Sequence, residues 1–330
     1  MLTIFLIIII LLSFAGTFLI TRVAVKKNLM DIPNIRSSHS QPTPRGGGLP
    51  MVLSWYVGLI GLKYFGLIES NLFLALISGS ILAIVSFLDD IYNLKPWIRI
   101  VFQLITVILG LYFIGGFKTI YLNNIVFKYP VLFTCIAILG IMWFVNLYNF
   151  LDGIDGYASV EAISVALGMF LLSKNPVLLV LVFAILGFLV WNWPKAKIFM
   201  GDIGSTQLGY ILIILGIYFN NYIKINFIGW LILTSLFWVD ASLTLYRRWR
   251  NKEKLSQAHK KHYYQRIVQY GFTHKKTVVG SIVINLFFIV LVYMSEKESI
   301  TYFITFPLCL IINLTLAKLI DASFPFKSTN

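Results

Sequence analysis

Apolar positions in this chain fall into long runs broken by short polar segments, without the two-residue alternation of a barrel strand. Leu2–Ile20 and Ile211–Phe219 are examples. A helix needs roughly 20 mostly apolar residues to cross the hydrocarbon core. Read this way, the pattern predicts about eleven helical spans, at 2–20, 48–66, 70–88, 98–115, 130–148, 156–173, 176–193, 205–221, 225–245, 277–295 and 299–319. Separators as short as Lys174-Asn175 predict antiparallel hairpins. The expectation is an all-α, polytopic membrane protein forming a single transmembrane domain over 1–330, with no soluble domain or internal repeat.

Composition agrees. Hydrophobic residues make up 58% of the 330 and charged residues 12%, about half the charged share of a soluble chain, and mean hydropathy is +0.84. The first run has its basic residues (Arg22, Lys26, Lys27) after it rather than before it. That is the reverse of a secretory signal, so it reads as a retained helix starting outside and ending in the cytoplasm. Cys135 and Cys309 lie within apolar runs and read as small core residues rather than a disulfide or metal pair.

Span parity then orders the charges. With the first helix ending inside, the cytoplasmic segments are 21–47, 89–99, 194–204, 246–276 and the tail after 319. Counted with Lys318 at the edge of the tail, they carry about 21 of the 27 Lys and Arg, against about six on the other side. The net charge of +14 points to anionic lipid headgroups and an anionic substrate rather than nucleic acid, because the charges border spans.

The same parity puts every chemically suggestive cluster on the cytoplasmic side: Arg36–Gly48, Asp89-Asp90, Asn146–Asp155, Gly201–Ser205 and Asp240–Arg266. Of the thirteen acids, Asp89, Asp90, Asp152, Asp155 and Asp202 sit where spans emerge. Carboxylates at such depth are costly unless paired, hydrated or bound to a cation. Any one could be an interfacial cap, but five together predict a shared cytoplasmic cleft. Oxygen-only ligands suit Mg²⁺, which takes one or two carboxylates and leaves room for water and phosphate.

In Asn146-Leu-Tyr-Asn149-Phe-Leu-Asp152-Gly-Ile-Asp155-Gly156, polar groups recur every third residue and form a stripe on a helix end. Asn146 and Asn149 could equally bond neighbouring helices, and Gly153 and Gly156 let the backbone turn or approach a ligand. Gly46-Gly47-Gly48 before a helix could receive phosphate or act as a hinge. The basic loop, with Arg247, Arg248, His259 and His262 among its members, could bind phosphate or serve only as a topology determinant on anionic lipid.

Taken in order, Arg36-Ser-Ser-His39…Pro44-Arg-Gly-Gly-Gly48, Phe87-Leu-Asp89-Asp90, Asn146…Asp155-Gly, Phe199-Met-Gly-Asp202-Ile-Gly-Ser205 and the histidine-bearing loop resemble the polyprenyl-phosphate N-acetylhexosamine-1-phosphate transferases of the MraY/WecA type, over residues 36 to 266. The resemblance implies transfer of a sugar-1-phosphate from a UDP-N-acetylhexosamine to a polyprenyl phosphate with release of UMP. It implies Mg²⁺ (or Mn²⁺ in its place) and residence in the bacterial cytoplasmic membrane, and it allows a homodimer. By motif match, Asp202 is implied as metal ligand. Asp89 and Asp90 serve the lipid phosphate, one of them as a candidate base or nucleophile. Asp152 and Asp155 act at the diphosphate and nucleotide, with Asn146 and Asn149 beside them. Asn192 and Phe199 hold the uracil, and Arg45, Arg247, Arg248, His259 and His262 cradle donor phosphates. The run Ala258-His259-Lys-Lys-His262 departs from the compact histidine cluster of the muramoyl-pentapeptide branch, so the chain looks closer to the branch that starts O-antigen, capsule or teichoic-acid chains. An ion-coupled transporter fits less well, since transporter sites lie at the bilayer midplane. The CDP-alcohol phosphotransferase pattern fails at Ala158-Ser159.

Overall fold

A computed structural model describes residues 1–33, 41–122, 125–255, 257 and 259–326. The Arg36–His39 stretch of the first motif lies outside the described residues. The chain is helical almost throughout: α1 (Leu2–Lys26), α2 (Gly48–Tyr64), α3 (Ser70–Tyr92), α4 (Pro96–Phe113), α5 (Pro130–Phe150), α6 (Tyr157–Ser173), α7 (Pro176–Asn192), α8 (Asp202–Tyr222), α9 (Phe227–Leu233), α10 (Ser235–Arg250), α11 (Tyr263–Gln269), α12 (His274–Glu296) and α13 (Tyr302–Ser323). Each of the eleven expected segments is therefore helical. Seven helices are long and apolar enough to cross a membrane, or eight if α9 and α10, bent by 72° at Thr234, count as one broken span. The others, such as α6 and α7, are shorter.

Four short strands were not expected. β1 (Met30–Asp31) pairs antiparallel with β2 (Thr43–Pro44), and β3 (Ile120–Leu122) with β4 (Ile125–Phe127). They lie in the connections, where segments without helical hydrogen bonds pair with each other.

Helix α8 is the axis of the bundle. Every residue from Ile203 to Asn220 is buried, as expected of a helix apolar all round. Helices α2, α3, α5, α6 and α9 surround it. Close approach depends on small residues. A Cβ on Gly209 would lie 2.9 Å from the Tyr148 Cβ of α5, and one on Gly216 would lie 2.6 Å from the Trp230 ring of α9. This is the small-residue packing typical of membrane helices. By contrast α1 buries only one stripe, against α2 and α7, fixed by the Ser13 hydroxyl donating to the Ala184 carbonyl at 2.6 Å.

At the α9–α10 break the loosened backbone is re-satisfied by side chains. Trp238 Nε1 donates to the Leu231 carbonyl at 2.8 Å and the Thr234 hydroxyl to the Trp230 carbonyl at 2.9 Å. Membrane-embedded breaks need such partners.

Candidate active site

One end of the bundle gathers the C-terminal ends of α3 and α5 with the N-terminal ends of α2, α4, α8 and α12. Between them lies a cleft of about 270 Å³, lined among others by Arg45, Asp90, Asn149, Asp152, Asp155, Phe199 and Asp202. An adjoining cavity of about 220 Å³ shares Arg45, Asp90 and Asp202 and adds Asp89, Asn93 and Arg99. Thus Asp89 and seven of the other expected site residues meet in one place.

Local geometry explains how they get there. Gly201, at φ +78°, turns the chain into α8, and a Cβ there would come within 2.9 Å of the Asp90 carboxylate. Asp90, ending α3, accepts hydrogen bonds from the Asp202 and Ile203 amides at 3.2 and 3.3 Å. It therefore caps the N-terminus of α8, where a carboxylate also meets the positive end of the helix dipole. The neighbouring Asp89 is buried and fully engaged, accepting from the Leu94 amide at 2.7 Å and from Arg99 at 2.8 Å. Arg99 also lies 3.9 Å from Asp202, and Arg45 donates to the Asp90 carbonyl at 2.7 Å.

Asp155 accepts from the Ala196 amide at 3.1 Å and pairs with His274 at 3.1 Å. Asn149 accepts from the Ser205 hydroxyl at 3.1 Å. The carboxylate of Asp152, in the turn between α5 and α6, has no hydrogen-bond partner among the described residues. Burial first, and then the Asp202, Asp155 and Asp90 carboxylates, push it well above the usual carboxylate range. Such a group awaits a cation or a proton.

Among the described residues no three His, Cys, Asp or Glu side chains surround one point as a protein-only metal cage would require. Mg²⁺ takes one or two carboxylates together with substrate phosphate and water, so Asp202 with its acidic neighbours fits that ion.

Six expected residues lie apart from the cleft. Asn146 pairs with Gln103 of α4, its Nδ2 donating at 3.0 Å. Asn192 donates to the Ile198 carbonyl and accepts from the Gly156 amide, both at 2.9 Å. With both polar functions engaged, it clasps the loop after α5 to the turn after α7. Arg247 forms a bidentate pair with Asp321 at 2.9 and 2.5 Å. Arg248, 2% exposed, binds Glu253 and the carbonyls of Lys254, Leu255 and Gln257. His262 is buried against Asp240 at 3.3 Å, and the His259 ring lies tilted by 39° beside that of His262 with ring centres 4.9 Å apart. These basic and histidine side chains bind within the loop, to Asp240 and to the C-terminal segment; none of the four lines the cleft.

The glycine tract is likewise occupied. Gly47 and Gly48 donate their amides to the Phe199 and Met200 carbonyls at 2.9 and 2.8 Å. A Cβ on Gly48 would lie 2.7 Å from the Gly204 Cα, so the tract lets α2 start against α8 rather than cradle phosphate. Gly153 is approached not by open space but by Tyr264 and Gln265 of α11.

Sequence reasoning passed over His274, Gln265, Asp31 and Arg99, which line these cavities. His274 stands at the emergence of a span, the same criterion that singled out the acids. Gln265 carried no signal beyond its place in the histidine-bearing run.

The Glycosyl transferase family 4 description matches residues 72–220. The probable undecaprenyl-phosphate N-acetylglucosaminyl 1-phosphate transferase of Bacillus subtilis (strain 168) is 30% identical over 295 residues, 82% of this chain and 78% of that protein. The decaprenyl-phosphate N-acetylglucosaminephosphotransferase of Mycobacterium tuberculosis is 26% identical, covering 82% of this chain and 76% of its own. A phospho-N-acetylmuramoyl-pentapeptide-transferase of Streptococcus thermophilus is 30% identical, covering 51% of this chain and 54% of its own.

Proposed function

The chain belongs to the polyprenyl-phosphate N-acetylhexosamine-1-phosphate transferases, and on that premise we propose that it moves N-acetylglucosamine-1-phosphate from UDP-N-acetylglucosamine to undecaprenyl phosphate. UMP leaves, and the lipid-diphosphate-linked sugar starts a cell-envelope polysaccharide. The choice of N-acetylglucosamine follows the relatives similar over four-fifths of the chain, whereas the muramoyl-pentapeptide enzyme is similar over half. The protein spans the cytoplasmic membrane many times, its N-terminus outside and its C-terminus and cleft inside, as its basic segments favour.

The observation that carries this reading is Asp152, without a hydrogen-bond partner among the described residues, in a cleft that shares Arg45, Asp90 and Asp202 with the cavity holding Arg99. Two phosphate groups that must meet need cationic holders on one side and carboxylates for a metal on the other. Arg45 and Arg99 hold the lipid phosphate. Asp89 orients Arg99, and Asp90 fixes the start of α8 and so the direction of Asp202. Asp202, with Asp152 near it, holds Mg²⁺, which when bound offsets charge on the diphosphate and the departing UMP.

A lipid phosphate oxygen attacks the β-phosphorus of the donor, and the bond from that phosphorus to the UMP oxygen breaks. A phosphate monoester has its second pKa near about 6 and is largely dianionic at neutral pH, so it needs no dedicated base. Asp89 and Asp90 are both engaged by hydrogen-bond donors, which favours direct displacement over a phospho-aspartate.

Purified protein with undecaprenyl phosphate, Mg²⁺ and UDP-N-acetylglucosamine is expected to release UMP, and chelation to stop it. No UMP from any UDP-sugar would sink the transferase reading. Label retained on Asp89 or Asp90 with donor alone would replace direct displacement by a covalent route.

A further inference from the structure

Gln265 is an unused polar group in the wall of the cleft. It is 7% exposed, lines the cavity, and its Oε1 is buried without a hydrogen-bond partner among the described residues. A buried acceptor without a partner is costly and uncommon, and on a cleft wall it marks a place where a ligand supplies the missing donor. The side chain is held in place by its surroundings. Both Asp240 carboxylate oxygens accept from the Tyr263 amide at 3.0 Å, fixing the start of α11. Tyr264 stacks on Tyr157 at 4.8 Å and donates to the Phe150 carbonyl at 3.2 Å. The Gln265 Nε2 would lie 3.0 Å from a Cβ on Gly153. That places the amide over the turn carrying Asp152, next to the acids that surround the transferred phosphate.

We propose that Gln265 reads the 2-acetamido group of the donor sugar, its Oε1 accepting from the acetamido N–H. The inference rests on the transferase reading above. The acetamido group offers one N–H donor, the group that the Gln265 Oε1 lacks. Position separates this group from the other amide of the donor, the uracil imide. The carbon bearing the acetamido group is bonded to the anomeric carbon, so the group must sit beside the transferred phosphate. The uracil is separated from that phosphate by the α-phosphate and the ribose. Gln265, adjoining Asp152 across Gly153, is in the place for the former.

The test compares wild type with Gln265→Leu, using UDP-N-acetylglucosamine, UDP-glucose (which lacks the acetamido group) and binding of UMP alone. A site built to pair a polar substituent rejects the analogue lacking it by roughly 10⁴-fold. The wild type is expected to prefer UDP-N-acetylglucosamine strongly. The leucine variant should lose roughly 100-fold in kcat/KM with that donor, change little with UDP-glucose, and keep the wild-type Kd for UMP. A thermal midpoint unchanged from the wild type reports a folded variant. Gln265→Met, unbranched and of the same length, replaces the leucine variant should the latter fail to fold. Unchanged efficiency with UDP-N-acetylglucosamine, or equal losses with both donors, would overturn the assignment. Weakened UMP binding would overturn it too, by moving Gln265 to the uracil. A wild type that binds UMP but turns over neither donor would instead defeat the transferase reading, and this inference with it.

Discussion

The cleft and the basic loop carry opposite charges at the same end of the bundle, and they treat those charges in opposite ways. In the cleft, Asp152 has no hydrogen-bond partner among the described residues and feels the charge of three other carboxylates, while Asp202 lies 3.9 Å from Arg99. In the loop, compensation is internal. Arg248 is bound by Glu253 and three carbonyls, Arg247 and Arg266 converge on Asp321, and His262 lies on Asp240. An uncompensated buried charge is stable only if something arrives to meet it. Charge left open marks a ligand site, and charge already met marks scaffold.

The strongest way to break this contrast is to neutralise each region and ask what is lost. Asp152→Asn and Asp202→Asn are each expected to lower turnover by about 10³-fold, the scale of a removed electrostatic group at a reacting centre. Both should raise thermal stability in the absence of Mg²⁺, because like charges are removed. A variant keeping full activity would show that its carboxylate is not open for a ligand. Next in size, Arg248→Met is expected to destabilise the fold by about 3 kcal/mol, since one Glu253 oxygen and the carbonyls of Lys254, Leu255 and Gln257 lose a buried charged donor while Lys261 keeps the other Glu253 oxygen, and turnover per folded molecule changes little. Loss of turnover at unchanged stability would return Arg248 to the substrate.

That contrast could not be read from the chain. Hydropathy located the helices because twenty apolar residues leave few alternatives in lipid, and parity collected Asp89, Asp90, Asp152, Asp155 and Asp202 at one end because spans alternate direction. Neither principle says which polar side chains pair with each other. His259 and His262, three apart, do meet, but they meet next to Asp240, 22 residues upstream of His262. Asn192 matched a uracil-binding position and instead clasps two loops, an arrangement that needs Gly156 and Ile198 to be placed first. Gln265 and His274 carried no motif because their role depends on α11 and α12 reaching the turn after α5.

A smaller effect sharpens the scaffold side. Arg247 and Asp321 are about a quarter exposed and bidentate. A double-mutant cycle of Arg247→Gln with Asp321→Asn is expected to give a coupling of about 1 kcal/mol, the upper range for partly exposed pairs. Arg266 shares the same carboxylate at 2.8 Å, so Asp321→Asn alone should cost more than Arg247→Gln alone. Thermal midpoints of the four proteins measure both quantities, and additivity would dissolve the clamp.

The smallest effect is a pH slope from His259. Burial, and then His262, Arg248 and Lys261, hold its imidazole down to about 3 against an ordinary 6.5. The ring is thus neutral in the folded protein where the unfolded chain would bind a proton. A depressed folded value contributes no penalty above pH 6.5 and an increasing one as pH falls from 6.5 toward 3. His259→Gln, which cannot take up a proton in either state, should match the wild type in thermal midpoint at pH 8 apart from a constant offset, and fall less steeply on acidification to pH 5. Parallel curves would mean that His259 gains its proton in the folded protein as readily as in the unfolded one. The basic loop would then no longer be the place where cationic charge is already fully accounted for.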